Sequence, residues 1–141
     1  MSGGNTASVQ INVRYAETDQ MGVVYYGNYF TWFEIGRSAF FRSLGHSYEK
    51  LEEQGLLLPV VEAYCRYLSP ARYEEQITIT TRLERLTAAR LVFAYTIHRG
   101  EILLASGRTT QCFVGKDSGR PVNLKKHYPG YWELLQSLIP K

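Results

Sequence analysis

Asp19 is the residue whose type and setting in this chain could do chemistry. It lies in the polar stretch Ala16-Glu17-Thr18-Asp19-Gln20, after which Gly22 and Gly27 bracket Val-Val-Tyr-Tyr, and Asn28 stands where a helix N-cap belongs. Free amides at a helix amino terminus form a site for developing negative charge, and a carboxylate beside them can attack a carbonyl or draw a proton from water. Acyl transfer needs both elements. An Asp before a helix also serves as a turn former or cap, and the residues alone leave the two roles open.

Other catalytic signatures are missing from the sequence: there is no Gly-x-Ser-x-Gly elbow, no Gly-x-x-x-x-Gly-Lys, no Gly-x-Gly-x-x-Gly and no His-Glu-x-x-His. Nucleotide and metal chemistry recede, and neither a metal nor a cofactor is expected. His46 follows the long helix, His98 ends a strand and His127 lies near the carboxyl terminus, so no histidine sits on the helix itself. Cys65 and Cys112 stand far apart in strand-like sequence and read as reduced core thiols.

The 16 basic and 13 acidic residues leave a charge of only +3, and no long Lys/Arg run marks a nucleic-acid patch. A basic rim for a small anionic ligand fits this balance better. The 141 residues, 45% of them hydrophobic, are the size of one domain spanning 1–141, with residues 1–8 expected to be flexible. No apolar run approaches the roughly 20 residues of a membrane span, and the first residues lack a basic-then-apolar pattern, so a cytoplasmic location is expected.

The elements that must position Asp19 can be read from periodicity. Val9, Ile11, Val13 and Tyr15 alternate with Gln10, Asn12 and Arg14, as a half-buried strand requires. From Tyr29 to Leu44 the apolar residues Phe30, Phe33, Phe40, Phe41 and Leu44 follow helical spacing, and Gly45 is placed to stop the helix. Trp32, Ile35 and Ala39 widen the apolar surface beyond one stripe, which predicts a largely enclosed helix. A short helix over Ser47 to Gln54 should follow, then strands over Leu57–Tyr67, Gln76–Leu83, Leu91–His98 and Ile102–Val114, and a terminal helix over residues 125–138. Four strands in succession predict an antiparallel sheet, and the whole is an α+β domain wrapped around one long helix.

With those residues in view, Tyr15-Ala-Glu-Thr-Asp19-Gln-Met-Gly22-Val-Val-Tyr-Tyr26-Gly-Asn28-Tyr29 resembles the entry motif of the hotdog-fold thioesterases, in the YbgC-like and 4-hydroxybenzoyl-CoA thioesterase branch. Pro59-Val-Val-Glu62 and Tyr67-Leu-Ser-Pro70-Ala71-Arg72-Tyr73 resemble that branch's second-strand segment and the turn after it, and the similarity runs from about residue 9 to 135. The resemblance implies a five-stranded antiparallel sheet wrapped around the central helix. It also implies an acyl-CoA thioesterase with Asp19 as nucleophile or general base and the backbone amide at Tyr26 as oxyanion donor. Many YbgC-like relatives carry histidine at the Tyr26 position; the tyrosine here agrees with the 4-hydroxybenzoyl-CoA type.

The family further implies a homo-oligomer, a dimer or a pair of dimers, with the acyl pocket at the protomer interface. Arg72, Arg90 and Lys116 are candidates to hold the CoA phosphates, each equally readable as a solvated charge. Glu62 can approach the pocket or serve a structural partner, and stays outside the catalytic set. The alternatives are a non-catalytic acyl-CoA-binding hotdog protein, a hotdog dehydratase, which would need a histidine that residues 19–44 lack, and a nucleic-acid module, which lacks basic clusters. Aliphatic and aromatic acyl groups, benzoyl or dihydroxynaphthoyl among them, both remain open.

Overall fold

The computed structural model describes residues 5–139. Its elements in chain order are β1 (Thr6–Asn12), a 3-10 turn (Tyr15–Glu17), α1 (Asn28–Ser43), α2 (Tyr48–Glu53), β2 (Leu56–Leu57), β3 (Val60–Tyr67), β4 (Gln76–Leu86), β5 (Arg90–Arg99), β6 (Ile102–Cys112), β7 (Val114–Gly115), α3 (Leu124–His127) and α4 (Pro129–Leu138). Five strands form one antiparallel sheet in the order β1-β4-β5-β6-β3, and β2 pairs with β7.

The sheet wraps α1 because both present large apolar side chains to the same space. Trp32, Phe33, Phe40 and Phe41 of α1 are fully buried against Ile77, Ile79, Leu83, Leu91, Phe93, Tyr95 and Ile97 of β4 and β5. Phe33 stacks on Tyr95 with ring centres 4.2 Å apart. Its ring lies over Gly107 of β6, where a Cβ would collide with both the ring and the Tyr64 carbonyl oxygen, so the close approach of helix to sheet depends on that glycine. Gly45 ends α1 as its position predicts. At φ +79° it donates to the Arg42 carbonyl while His46 donates to that of Phe41, which satisfies two of the helix's last acceptors.

Several boundaries differ from the pattern for physical reasons. Strand β1 starts at Thr6 rather than Val9, with Thr6, Ala7 and Ser8 opposite Arg82, Thr81 and Thr80; of the segment 1–8 expected to be flexible, residues 1–4 lie outside the described residues and 6–8 are paired. Tyr15, expected on the inner face, is 75% exposed because the chain has already left the sheet in the 3-10 turn. The single strand expected over Leu57–Tyr67 is two, interrupted at residues 58–59, and Val114 belongs to β7 instead of β6. Pro59 lacks the N–H a continuous ladder would use. The terminal helix is likewise two, since the residue before Pro129 is forced out of helical geometry (Tyr128, ψ 60°).

Strand β3 differs from the other four. Like β1 it lies at a sheet edge, but it is open along both faces, with Val60, Val61, Tyr64 and Tyr67 42–54% exposed.

Candidate active site

The loop between β1 and α1 is built around Glu17, which is buried despite its charge. One carboxylate oxygen accepts from the Arg14 N–H (2.8 Å) and the other from the indole N–H of Trp32 (2.8 Å), with Arg14 forming an ion pair at 3.5 Å. The Glu17 carbonyl accepts from Tyr25 N–H and from the Asn28 side-chain amide, both at 2.9 Å. Glu17 thus ties the loop to the first turns of α1 from two sides. Asn28 is therefore not the N-cap its position predicts: Gly27 occupies that place, and Asn28 sits in the helix and uses its amide as a donor to the loop.

Between these anchors Asp19 is held by its own backbone. Its N–H donates to the Val23 carbonyl (2.8 Å) and its carbonyl accepts from Gly22 N–H (3.0 Å), with Gly22 at φ +79°. One carboxylate oxygen accepts from Met21 N–H (2.8 Å). The other oxygen has no protein donor among the described residues, and the side chain is exposed. The segment after it is clipped to the turn following β3, since Val24 N–H donates to the Ala71 carbonyl (2.8 Å) and Val23 bridges Arg72.

Asp19 borders two depressions. The first, a cavity of about 320 Å³, is walled by Tyr26, Tyr29, Tyr67, Leu68 and Pro70 together with Val23 and Val24. The second is a wider groove of about 710 Å³ with Tyr15, Thr18, Gln20 and Tyr73 along it. At the rim of the first, α1 begins. Asn28 N–H donates to the Tyr25 carbonyl (2.9 Å) and Tyr29 N–H to that of Tyr26 (3.2 Å), whereas the N–H groups of Tyr26 and Gly27 meet no protein acceptor among the described residues. Two unpaired amides at the start of a 16-residue helix, beside a cavity that also holds a carboxylate, form a place where negative charge on a carbonyl oxygen would be stabilised.

Apart from Asp19, the cavity wall is uncharged and carries three tyrosines. Tyr29 and Tyr67 meet edge to face at 5.0 Å, and Tyr26 meets Tyr67 at 6.0 Å. Burial, and then the neighbouring Cys65 thiol, push the Tyr67 hydroxyl well above the usual phenol range, and burial does the same for Tyr29. Cys65 and Cys112 are free and half-buried. Phe30, expected within the buried stripe of α1, is 36% exposed at the open side of the helix.

The structure brings Asp19, Tyr26 and Arg72 to the same end of the fold. Arg90 and Lys116 are at the other end: β4 alone, at about 3.3 Å per residue, separates its Gln76 end from the turn before Arg90 by roughly 30 Å. Lys116 follows β7 there and pairs with Glu52 at 3.3 Å. Glu62 lies on exposed β3 beside a separate surface depression with Tyr64 and Arg108. Among the described residues no cluster of His, Cys, Asp and Glu could hold a metal ion, and no helix is long and apolar enough to cross a membrane. Glu17 and Tyr67 were not singled out by the sequence; only the partners Trp32 and Tyr26, brought to them by folding, give them weight.

A five-stranded antiparallel sheet around one long helix is the hotdog arrangement of the thioester hydrolases. The chain belongs to the Thioesterase superfamily, whose profile matches residues 21–106. It is 38% identical over 86% of its length, and 89% of the relative's, to YneP of Bacillus subtilis strain 168, which carries a provisional acyl-CoA thioesterase name. It is 27% identical over 86% of its length to the acyl-CoA thioesterase YbgC of Haemophilus influenzae, covering 90% of that protein. Among solved structures, a DHNA-CoA thioesterase from Staphylococcus aureus superposes with a TM-score of 0.87 at 34% identity, covering 94% of this chain and 89% of that one.

Proposed function

We propose that the protein hydrolyses acyl-CoA thioesters to the free acid and CoA, with Asp19 as the reacting carboxylate. The observation that carries this reading is the free Asp19 oxygen in a cavity whose rim bears the unpaired Tyr26 amide. The acyl group enters the tyrosine-walled cavity and places its carbonyl oxygen toward the Tyr26 N–H. Asp19 then either attacks the carbonyl carbon, giving a mixed anhydride that water opens, or takes a proton from an attacking water. In both routes the thiolate of CoA leaves and the amide holds the oxyanion. The helix start is fixed before substrate arrives, so little reorganisation is needed as charge develops.

The cavity's volume admits a single aromatic ring or a short aliphatic chain, and relatives named for aromatic and for unspecified acyl-CoA substrates both exist. The groove along Tyr15 and Tyr73 would take the carrier arm, with Arg72 near its exit. Arg90 and Lys116 could reach the nucleotide phosphates only from another protomer. The exposed β3 edge supports such an assembly: its unpaired main-chain groups and exposed Val60, Val61 and Tyr64 fit antiparallel pairing with a second copy, which makes the enzyme a homo-oligomer. A cytoplasmic site of action completes the proposal.

Free-thiol release from a panel of aryl-CoA and aliphatic acyl-CoA thioesters tests the reading. Turnover of at least one above the uncatalysed rate is expected. Tight binding of these thioesters with no release by the native protein would turn the assignment to a non-catalytic acyl-CoA binder.

A further inference from the structure

The Tyr67 hydroxyl, at the end of β3, donates to the main-chain carbonyl of Tyr26 at 3.0 Å. That carbonyl already accepts from Tyr29 N–H at 3.2 Å, so it is held from inside the helix and from the sheet edge at once. The peptide on the other side of Tyr26 is held too, since its oxygen, that of Tyr25, accepts from Asn28 N–H at 2.9 Å, and Tyr25 N–H is tied to Glu17. Both carbonyls that flank the free Tyr26 amide therefore have partners, and among the described residues Tyr67 is the one side chain that supplies such a partner from the sheet. Its ring, wedged edge to face against Tyr26 and Tyr29, leaves the hydroxyl little freedom to turn away.

We propose that Tyr67 is a positioning residue for the thioesterase reaction, fixing the Tyr26–Gly27 peptide and through it the φ and ψ of Tyr26, so that the Tyr26 amide, in the preceding peptide, stays aimed at the developing oxyanion. This rests on the hydrolase reading above. A wall residue of the cavity alters how tightly the acyl group binds, whereas a group that orients the oxyanion donor acts when charge appears on the oxygen. Loss of the hydroxyl alone should lower kcat and leave KM nearly as it was. A neutral hydrogen bond of this kind accounts for about a tenfold change in rate.

Tyr67→Phe removes the hydroxyl and keeps the ring, at a position 43% exposed where the fold tolerates the change. The expected result is a kcat reduced by about tenfold, a KM within about twofold of native, and an unchanged melting temperature. The backbone ¹⁵N resonance of Gly27, whose nitrogen shares a peptide with the Tyr26 carbonyl, should move in the same variant. Tyr67→Leu, which removes the ring as well, should add a rise in KM.

A Tyr67→Phe enzyme with native kcat, or one changed only in KM, or one that melts well below native, overturns the proposal. So does an unmoved Gly27 resonance. That resonance is read without substrate, so it separates the two failures: a native protein that cleaves no thioester defeats the hydrolase reading, whereas an active enzyme indifferent to the hydroxyl defeats the role of Tyr67.

Discussion

Among the described residues, α1 meets at its amino-terminal end an exposed carboxylate with one unused oxygen and two amides without acceptors; further along the same helix, the Arg37 guanidinium is enclosed and matched to hydroxyls. Arg37 is only 7% exposed, and its guanidinium donates to the hydroxyls of Tyr48 (3.2 Å) and Tyr95 (3.0 Å), with no carboxylate partner among the described residues. Tyr95 shares a short hydrogen bond with Thr109, and Gln111 donates to the Leu58 carbonyl at 2.6 Å. Burial works against the Arg37 charge, and the two tyrosines more than offset it, so the residue stays cationic. One end spends its polar groups on holding α2 and the sheet to the helix. The other leaves them free for a substrate. On the proposed reading, sites of chemistry and sites of stability are separated along one element, and the two regions should respond differently to the same kinds of change.

The largest stability effect is expected at the enclosed end. Arg37→Ala leaves the buried Tyr95 hydroxyl and the half-buried Tyr48 hydroxyl short of a donor and opens a void, and should destabilise the protein by about 3 kcal/mol. At a temperature where both proteins are folded, kcat should stay within about twofold of native. Chemical denaturation with a matched rate assay checks both halves, and a large fall in kcat would merge the two regions into one.

Alkaline pH sharpens the contrast next. Burial, only partly countered by Arg37, pushes Tyr95 up to about 12 from an ordinary value of 10.0, and Tyr48 and Tyr131 are raised as well, again chiefly by burial. Between pH 10 and 12 the unfolded chain loses the Tyr95 proton while the folded one keeps it. Stability present below pH 10 is thus lost as pH rises through that window, on the order of 2–3 kcal/mol from this residue. Absorbance at 295 nm should therefore rise in two phases, the enclosed set ionising second and together with loss of circular dichroism. A single smooth titration with the fold intact would contradict the enclosure.

The smallest stability change belongs to Glu17, which serves the open end from a buried position. Glu17→Gln keeps the shape but weakens the bonds from Trp32 and Arg14, and should cost about 1–2 kcal/mol. Because Glu17 anchors the Asp19 loop, kcat should fall several-fold more than in Arg37→Ala. Equal kcat in the two variants would show that the loop does not need its anchor.

The open end was legible in the sequence to a useful depth, because Asp19, the bracketing glycines and the helix start are local features and the motif around them is specific. So were the sheet and the enclosed helix, since alternation in β1, β4, β5 and β6 follows a covered inner face. What escaped depended on contacts between distant residues. The indole that buries the Glu17 charge is fifteen positions away, and Tyr67 reaches Tyr26 across forty-one. Asn28 has the residue type of a cap, but its amide is taken by the Glu17 carbonyl. β3 is open on both faces because α1 packs mainly on β1 and β4 and little of it reaches β3, which the order of strands determines and local pattern does not. Arg72, Arg90 and Lys116 share a charge, yet nothing local says which end of the sheet each will occupy.

The central claim, that the free carboxylate at the start of α1 carries the reaction, is tested most directly by Asp19→Asn, which keeps the side chain's shape and removes its charge. With circular dichroism and melting temperature held at native values, kcat for the best thioester of the panel should fall by at least about 100-fold. A folded Asp19→Asn enzyme that still turns over within a few-fold of native would contradict the account.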